Sequence, residues 1–293
     1  MPKEADISVN ERAFILEALH NNVRLDGRAL DQLRPLTVSF GEEYGHVKLQ
    51  LGKTSVVVRI SAEVTMPRSE RENDGIFTVT VELNDMASPA YETGRQSELE
   101  THLARTLDRI IRRSNALDTE SLCIAAGKNC WHVRADVHVV DSDGGLVDSC
   151  CLAIMTGLLH FRLPEAVVRE GRVTVYRPEE KVPSPLNLTK LPLSTTFNMY
   201  DEGSIIVLDA TSKEEAVSEG SLIIALDKTG EIALYTKPDG TPGDPLSMIS
   251  CSNVALAKIK EMSKFISAKL EEDLKMREKK RQGAAESSAA NER

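Results

Sequence analysis

The hydrophobic pattern of this chain changes period several times, and the order of those changes restricts the fold more than any single motif. From Leu36 the run LTVSFGEEYGHVKLQLGKTSVVVRISAEV alternates with glycine-containing breaks, which predicts three strands. GIFTVTVEL predicts a fourth, after the polar loop MPRSEREND. Helical spacing returns over residues 94–114, and LCIAAGKNCWHVRADVHVV then predicts two strands joined at the Gly-Lys-Asn turn. A helix of small apolar residues follows over about 146–160. Beyond a stretch punctuated by Pro178, Pro183, Pro185 and Pro192, a second alternating block covers 193–235, and a last helix runs from near Ser247 through Leu274. Strands followed by helices, twice over, make an α+β chain of two sub-domains joined through the proline-rich segment.

The boundaries follow. Residues 1–30 form an N-terminal helix and turn, 31–165 a first domain, 166–190 the connector, and 191–274 a second domain with its helix. Residues 275–293, KMREKKRQGAAESSAANER, lack apolar periodicity and are expected to be a flexible tail. The N-terminal helix carries a capping box, Ser8 with Glu11 three residues on, and Phe14, Ile15, Ala18 and Leu19 recur at helical spacing.

With 293 residues the chain can bury a large core, and its net charge of −9 argues against bulk attraction to a polyanion. Nucleic-acid contact would need a local basic stripe. Cys123, Cys130, Cys150, Cys151 and Cys251 include no C-x-x-C pair and no zinc spacing, so they read as buried thiols in a reducing compartment, cytosolic or nuclear. No metal and no cofactor is expected. No apolar run approaches the roughly 20 residues that span a bilayer.

Such a stripe is present. On GRQSELETHLARTLDRIIRRS, about 100° per residue puts Leu99, Leu103, Leu107, Ile110 and Ile111 on one face and Arg105, Arg109, Arg112 and Arg113 on the other. An arginine face of this kind is solvated, or pairs with the acids of a neighbouring subunit, or is set against RNA phosphates. The run DSDGGLVDSCCLA is a glycine turn opening a helix, a geometry that can offer backbone N–H groups to an anion. DATSKEE reads as a strand end and a capped helix, with Ser212 or Asp209 as the cap. His102, His132 and His138 have no partner at catalytic spacing.

The order of RLDGR, LGKTSVVV, GRQSELE, the DGG turn and DATSKEEAVSEGSLIIALDKTGEI resembles the RNase PH family of phosphorolytic exoribonucleases, in particular its ring subunits of the eukaryotic RNA exosome. The likeness runs from about Ser8 to Lys275. It implies an RNase PH-like α+β fold, whose first half is similar to the second domain of a small-subunit ribosomal protein and whose second is the smaller RNase PH C-terminal domain. It implies a hetero-hexameric ring with other RNase PH-like subunits, S1/KH cap subunits, a hydrolytic exoribonuclease, and single-stranded RNA in a central channel. Nucleus, nucleolus and cytoplasm are the expected locations.

The resemblance also bears on chemistry. Active members follow the glycine turn with hydroxyl and arginine donors for phosphate; here Leu146, Val147 and Asp148 stand there. Arg95 matches a phosphate-contacting arginine, His102 replaces a second, and Thr211 replaces an aspartate. A carboxylate about 5 Å from phosphate repels it by several kcal/mol, so the expectation is a site closed by Asp148 at the positive end of its own helix, and a chain without phosphorolytic activity. Arg68 and Arg71, in the loop matching a channel neck, join Arg95, Arg105, Arg109, Arg112 and Arg113 as RNA-contact candidates. Two other readings stand beside this one. A divergent active phosphate-dependent exoribonuclease would use Arg95 and the DATSKEE acids; a folded scaffold without RNA contact would suit the negative charge.

Overall fold

The computed structural model describes residues 7–89, 91, 97–169, 172–177, 180–238, 240 and 244–291. Helix α1 (Val9–His20) has the expected capping box: the Glu11 N–H donates to Ser8 Oγ at 3.2 Å and the Ser8 N–H to Glu11 Oε2 at 3.3 Å. Ile15 and Leu19 anchor it on Tyr200, Val207 and Val217. Phe14 departs from its expected packing and lies on the exposed side.

Strands β1 (Leu36–Phe40), β2 (His46–Leu51), β3 (Thr54–Thr65), β4 (Ile76–Leu83), β5 (Cys123–Ala125) and β6 (Asn129–Asp141) build the first sheet. Its order is β1-β2-β3-β6-β4, with β5 paired to β6. Only β4 runs parallel to its neighbour, because α2 (Glu98–Arg113) carries the chain back across one face before β6 begins. Helix α2 buries Leu103, Leu107, Ile110 and Ile111 as its period predicts. Leu99, in the first turn, is 46% exposed and drops out of the stripe.

Helix α3 (Leu146–His160) is buried almost all round. It packs on β2 and β3 on one side and on β11 on the other, so it is the shared core of both sheets. The connector is not featureless: β7 (Arg162–Leu163) pairs with β10 (Ser184–Pro185), and β8 (Ala166–Arg169) pairs with β9 (Arg172–Val175). The second sheet has the order β12-β11-β13-β14, from β11 (Leu193–Tyr200), β12 (Ile205–Leu208), β13 (Gly220–Leu226) and β14 (Ile232–Thr236). A single turn of helix, α4 (Ser212–Glu215), follows β12.

Helix α5 (Pro245–Asn291) buries Ala255, Ile259 and Ile266 against the second sheet. The expected stop at Leu274 is corrected, since helical backbone continues to Asn291. Apolar period ends there, but residues 275–291 are rich in Lys, Arg, Glu, Gln and Ala, which favour helix without a core to face. The extension begins at a clamp on the first domain. Arg277 donates to the Gly41 and Glu42 carbonyls and lies over the Tyr44 ring, 4.6 Å from its centroid. Beside it, buried His160 accepts the Gly45 N–H at 3.0 Å. Burial, and then the charge of Arg277, lower the His160 pKa to about 4, which keeps the ring neutral.

Candidate functional site

The glycine turn before α3 meets the end of β12 where the two domains join. Gly144 (φ +77°) and Gly145 (φ +66°) both take the left-handed conformation. A Cβ on Gly144 would sit 2.7 Å from the Ala210 carbonyl oxygen and 2.8 Å from the Ser212 nitrogen; one on Gly145 would sit 2.5 Å from the Arg34 guanidinium. The double glycine is therefore needed for contact between the domains, whatever else it does.

Thr54, from the LGKT run, fixes this turn from below. Its hydroxyl donates to the Gly144 carbonyl at 2.8 Å and accepts the Asp143 N–H at 3.0 Å. Arg34 fixes it from the side, donating to the carbonyls of Asp143 (2.6 Å) and Gly144 (3.0 Å) and to Asp209 Oδ1 (2.6 Å). Arg28 adds a second guanidinium at 3.1 Å from Asp209 Oδ2. Arg24, from the same RLDGR turn, holds Glu214 at 2.6 Å, with both side chains almost wholly buried. Asp209 itself has φ +51°, a strained value for aspartate, and its carbonyl oxygen accepts from both Arg24 and Arg28. The arginines thus hold the conformation that aims the Asp209 carboxylate at Arg34.

The anion at the start of α3 is not the expected one. The N–H of Gly145, the residue that caps α3, goes to Glu215 Oε1 at 2.8 Å. Asp148 lies in the first turn of α3 but faces β11, where it accepts from the Thr196 N–H at 2.6 Å and the Thr196 hydroxyl at 3.0 Å. Asp148 is three residues into the helix, so its side chain points at the adjoining sheet while Glu215 reaches the turn from α4. Burial, offset by hydroxyl and N–H donors and reinforced by Asp209, pushes the Asp148 pKa up to about 6. Burial, offset by Gly145 and Arg34 and reinforced by Asp148 and Asp209, pushes that of Glu215 up to about 7. Arg24, Arg28 and Arg34 make their ion pairs with Glu214, Asp26 and Asp209, and Glu215 and Asp148, which make none with an arginine, are the two acids whose pKa values are raised.

DATSKEE is a strand end and a capped helix, as its pattern predicts, but the cap is Thr211 rather than Ser212 or Asp209. The Thr211 N–H returns to Glu214 Oε2 at 2.8 Å. Leu146 and Val147 are half-buried against the core and carry no polar side-chain atom. His102 is exposed on α2, and Arg95 lies outside the described residues.

The arginine candidates divide by position. Arg105, Arg109, Arg112 and Arg113 are all exposed on α2. Arg112 is also anchored, to Asp108 at 2.7 Å and to the Phe77 carbonyl at 3.2 Å. It shares a cleft of about 300 Å³ with Arg68 and Arg71 from the β3–β4 loop, beside Glu70 and Asp74. Loop and helix, separate in the sequence, thus place three guanidiniums on one concave surface; Arg105, Arg109 and Arg113 are not part of its lining.

Residues 32–164 match domain 1 of the 3' exoribonuclease family, RNase PH, and residues 190–258 match its domain 2. This chain belongs to the RNase PH family. Within that family it is 42% identical over its whole length, and that of the relative, to "Exosome complex component rrp45" of Schizosaccharomyces pombe. It is 38% identical to "Exosome complex component RRP45" of Saccharomyces cerevisiae, over 95% of this chain and 96% of that one. The fold is shared with a chain of the Archaeoglobus fulgidus exosome "with RNA bound to the active site", at a TM-score of 0.77 and 27% identity over 87% of this chain and 97% of that chain. The RNase PH fold accounts for the placement of α3 between two sheets with its glycine turn at their junction. Sequence reasoning did not single out Arg24, Arg28, Arg34 or Thr54, and it named Glu215 only among the DATSKEE acids. The signal for Arg34 was an arginine between Leu33 and Pro35, directly before strand β1.

Proposed function

We propose that this chain is a non-catalytic ring subunit of an RNA exosome, sharing a hetero-hexameric ring with other RNase PH-like subunits. The observation that carries the loss of catalysis is the Glu215 carboxylate on the Gly145 N–H. One backbone donor at the start of α3 is engaged by an internal acid, and Leu146 and Val147 bring no side-chain donor there. The names of the relatives support the assembly. In such a ring the chain shapes a channel for single-stranded RNA, beneath S1/KH cap subunits and above a hydrolytic exoribonuclease that performs the cleavage. The expected setting is rRNA maturation and RNA turnover in nucleus, nucleolus and cytoplasm.

Affinity purification of the tagged full chain tests the assembly directly. RNase PH-like companions in stoichiometric amount are the expected result, and a chain that purifies alone contradicts it. The RNA surface in this reading is the cleft of Arg68, Arg71 and Arg112, with Arg105, Arg109 and Arg113 along the adjoining helix, and Arg95 remains a candidate from the sequence. Phosphate contacts respond to salt, with a slope of about −0.7 per neutralised phosphate on single strands. Arg68→Gln with Arg71→Gln should weaken RNA retention by the assembled ring across all sequences. It should also make the log–log salt slope shallower by about 1.4 if each contacts one phosphate. An unchanged slope would remove these two residues from the RNA path.

A further inference from the structure

The hairpin of β5 and β6 sets two cysteines directly opposite each other. Cys123 and Cys130 are register partners across the antiparallel pair. Opposed residues project to the same face with Cβ atoms about 4.5–5.5 Å apart. Their Cα separation, about 4.5–5.5 Å, falls within the window of about 4.4–6.8 Å that a disulfide spans. Closing an S–S bond therefore asks for a small approach of two strands, and the register shift between Cys123 and Ala125 provides slack there. Trp131, Val133 and Ala135 point into the core, so Cys130 lies on the sheet's other face together with Cys123.

The two thiols are unequal. Cys130 is buried, while Cys123 is only partly so. Burial, and the neighbouring Cys123 sulfur, raise the Cys130 pKa. An oxidant in solution meets Cys123 first, and Cys130 is placed to resolve it. The other cysteines are poorly suited. Cys150 and Cys151 are fully buried within α3, with thiols pushed up to about 12 by burial, and Cys251 is buried on α5.

The hairpin also holds something. Its tip N–H, from Gly127, donates to the Glu72 carbonyl at 3.0 Å, and the Gly75 N–H donates to the Thr119 carbonyl at 2.8 Å. These bonds fasten the β3–β4 loop, with Arg68 and Arg71, to the segment that contains Cys123.

We propose that Cys123 and Cys130 are a redox-sensitive pair, closed to a disulfide by hydroperoxides and reopened by thiols, and that closure stiffens the loop carrying Arg68 and Arg71. The Cys123 thiolate attacks one peroxide oxygen, forming a sulfenic acid and releasing hydroxide. Sulfur of Cys130 then attacks the Cys123 sulfur and expels the second oxygen as water. Two thiols and one hydrogen peroxide give one disulfide and two waters; the peroxide takes the two electrons that the sulfurs lose. Neither step depends on exosome membership.

The test treats the full chain with hydrogen peroxide, alkylates the remaining thiols and digests with trypsin, which cuts after Arg113, Lys128 and Arg134. Peptides 114–128 and 129–134 should appear joined, lighter by the two thiol hydrogens, and should separate again in dithiothreitol. Cys150, Cys151 and Cys251 should stay reduced at the same dose. Hydrogen exchange over residues 66–75 should slow in the oxidised chain and recover on reduction. Cys123 driven to sulfinic acid with no joined peptide would overturn the pairing. Joined peptides with unchanged exchange in the loop would overturn the coupling. The assignment is made on the unmodified chain, so it does not depend on the folding of a variant; Cys123→Ser should abolish the joined peptide as a check on its identity.

Discussion

Replacing Arg34 with methionine should lower the unfolding free energy by about 3–5 kcal/mol, the range found when one partner of a buried ion pair is removed. The Arg34 side chain is 4% exposed, and that of Asp209 is fully buried. Without the guanidinium, Asp209 keeps only Arg28 and the Arg34 backbone N–H, while the carbonyls of Asp143 and Gly144 lose a donor. Because Arg28 remains, the lower half of the range is the better expectation. Urea unfolding gives the number, through a shift of the midpoint at constant slope. Arg59→Met is the matched control, since the Arg59–Glu43 pair is more than half exposed on both sides and should contribute almost nothing. Equal effects of the two substitutions would mean that the buried cluster is not what joins the domains.

The second large effect is on pH. Glu215 and Asp148 hold folded-state pKa values of about 7 and about 6, above those of an unfolded chain. Between those values and about 4 the folded protein binds more protons than the unfolded one, so stability falls as pH rises through this window. The contribution is fully present below the unfolded pKa and lost above the folded one. One pKa unit corresponds to about 1.36 kcal/mol, which gives about 3 kcal/mol for Glu215 at most. Glu215 keeps some solvent contact, so about 2 kcal/mol is expected between about pH 5 and pH 8. Asp26 and Asp227 act the other way, because their folded pKa values are lowered, and their stabilisation fades only in more acid solution. Glu215→Gln keeps an acceptor for the Gly145 N–H but has no proton to lose, and should remove much of the slope. A wild-type midpoint that climbs steadily toward pH 8 would show that the pKa values of these two acids are not raised.

Local elements were legible because they are written locally. The Ser8–Glu11 capping box, the alternation of β2 and the apolar stripe of α2 all lie within one or two turns of sequence. The parallel pairing of β4 with β6 is not of that kind, nor is the meeting of RLDGR with DATSKEE. Arg24 and Glu214 are 190 residues apart, and Arg34 and Asp209 are 175 apart. No period in the chain announces that they share a site. Asp148 illustrates the same limit. Its position in the first turn suggests an anion on the helix end, yet a residue three places into a helix points at whatever packs there, and here that is Thr196. The charge reading was right about the sign of the tenant and wrong about its identity, which only the approach of α4 decides. Thr54 was invisible for a related reason: a threonine opening a strand has no mark that its hydroxyl will hold a turn 90 residues away.

A phosphorolysis assay tests the central claim most directly. The purified full chain, alone and joined to its ring companions carrying disabled sites of their own, would be given 3'-labelled RNA with and without millimolar inorganic phosphate. With Glu215 on the Gly145 N–H and no side-chain donors at Leu146 and Val147, no nucleoside diphosphate should form in either case. Phosphate-dependent release of nucleoside diphosphate that disappears in an Arg95→Ala chain would contradict the account and make this subunit a working enzyme.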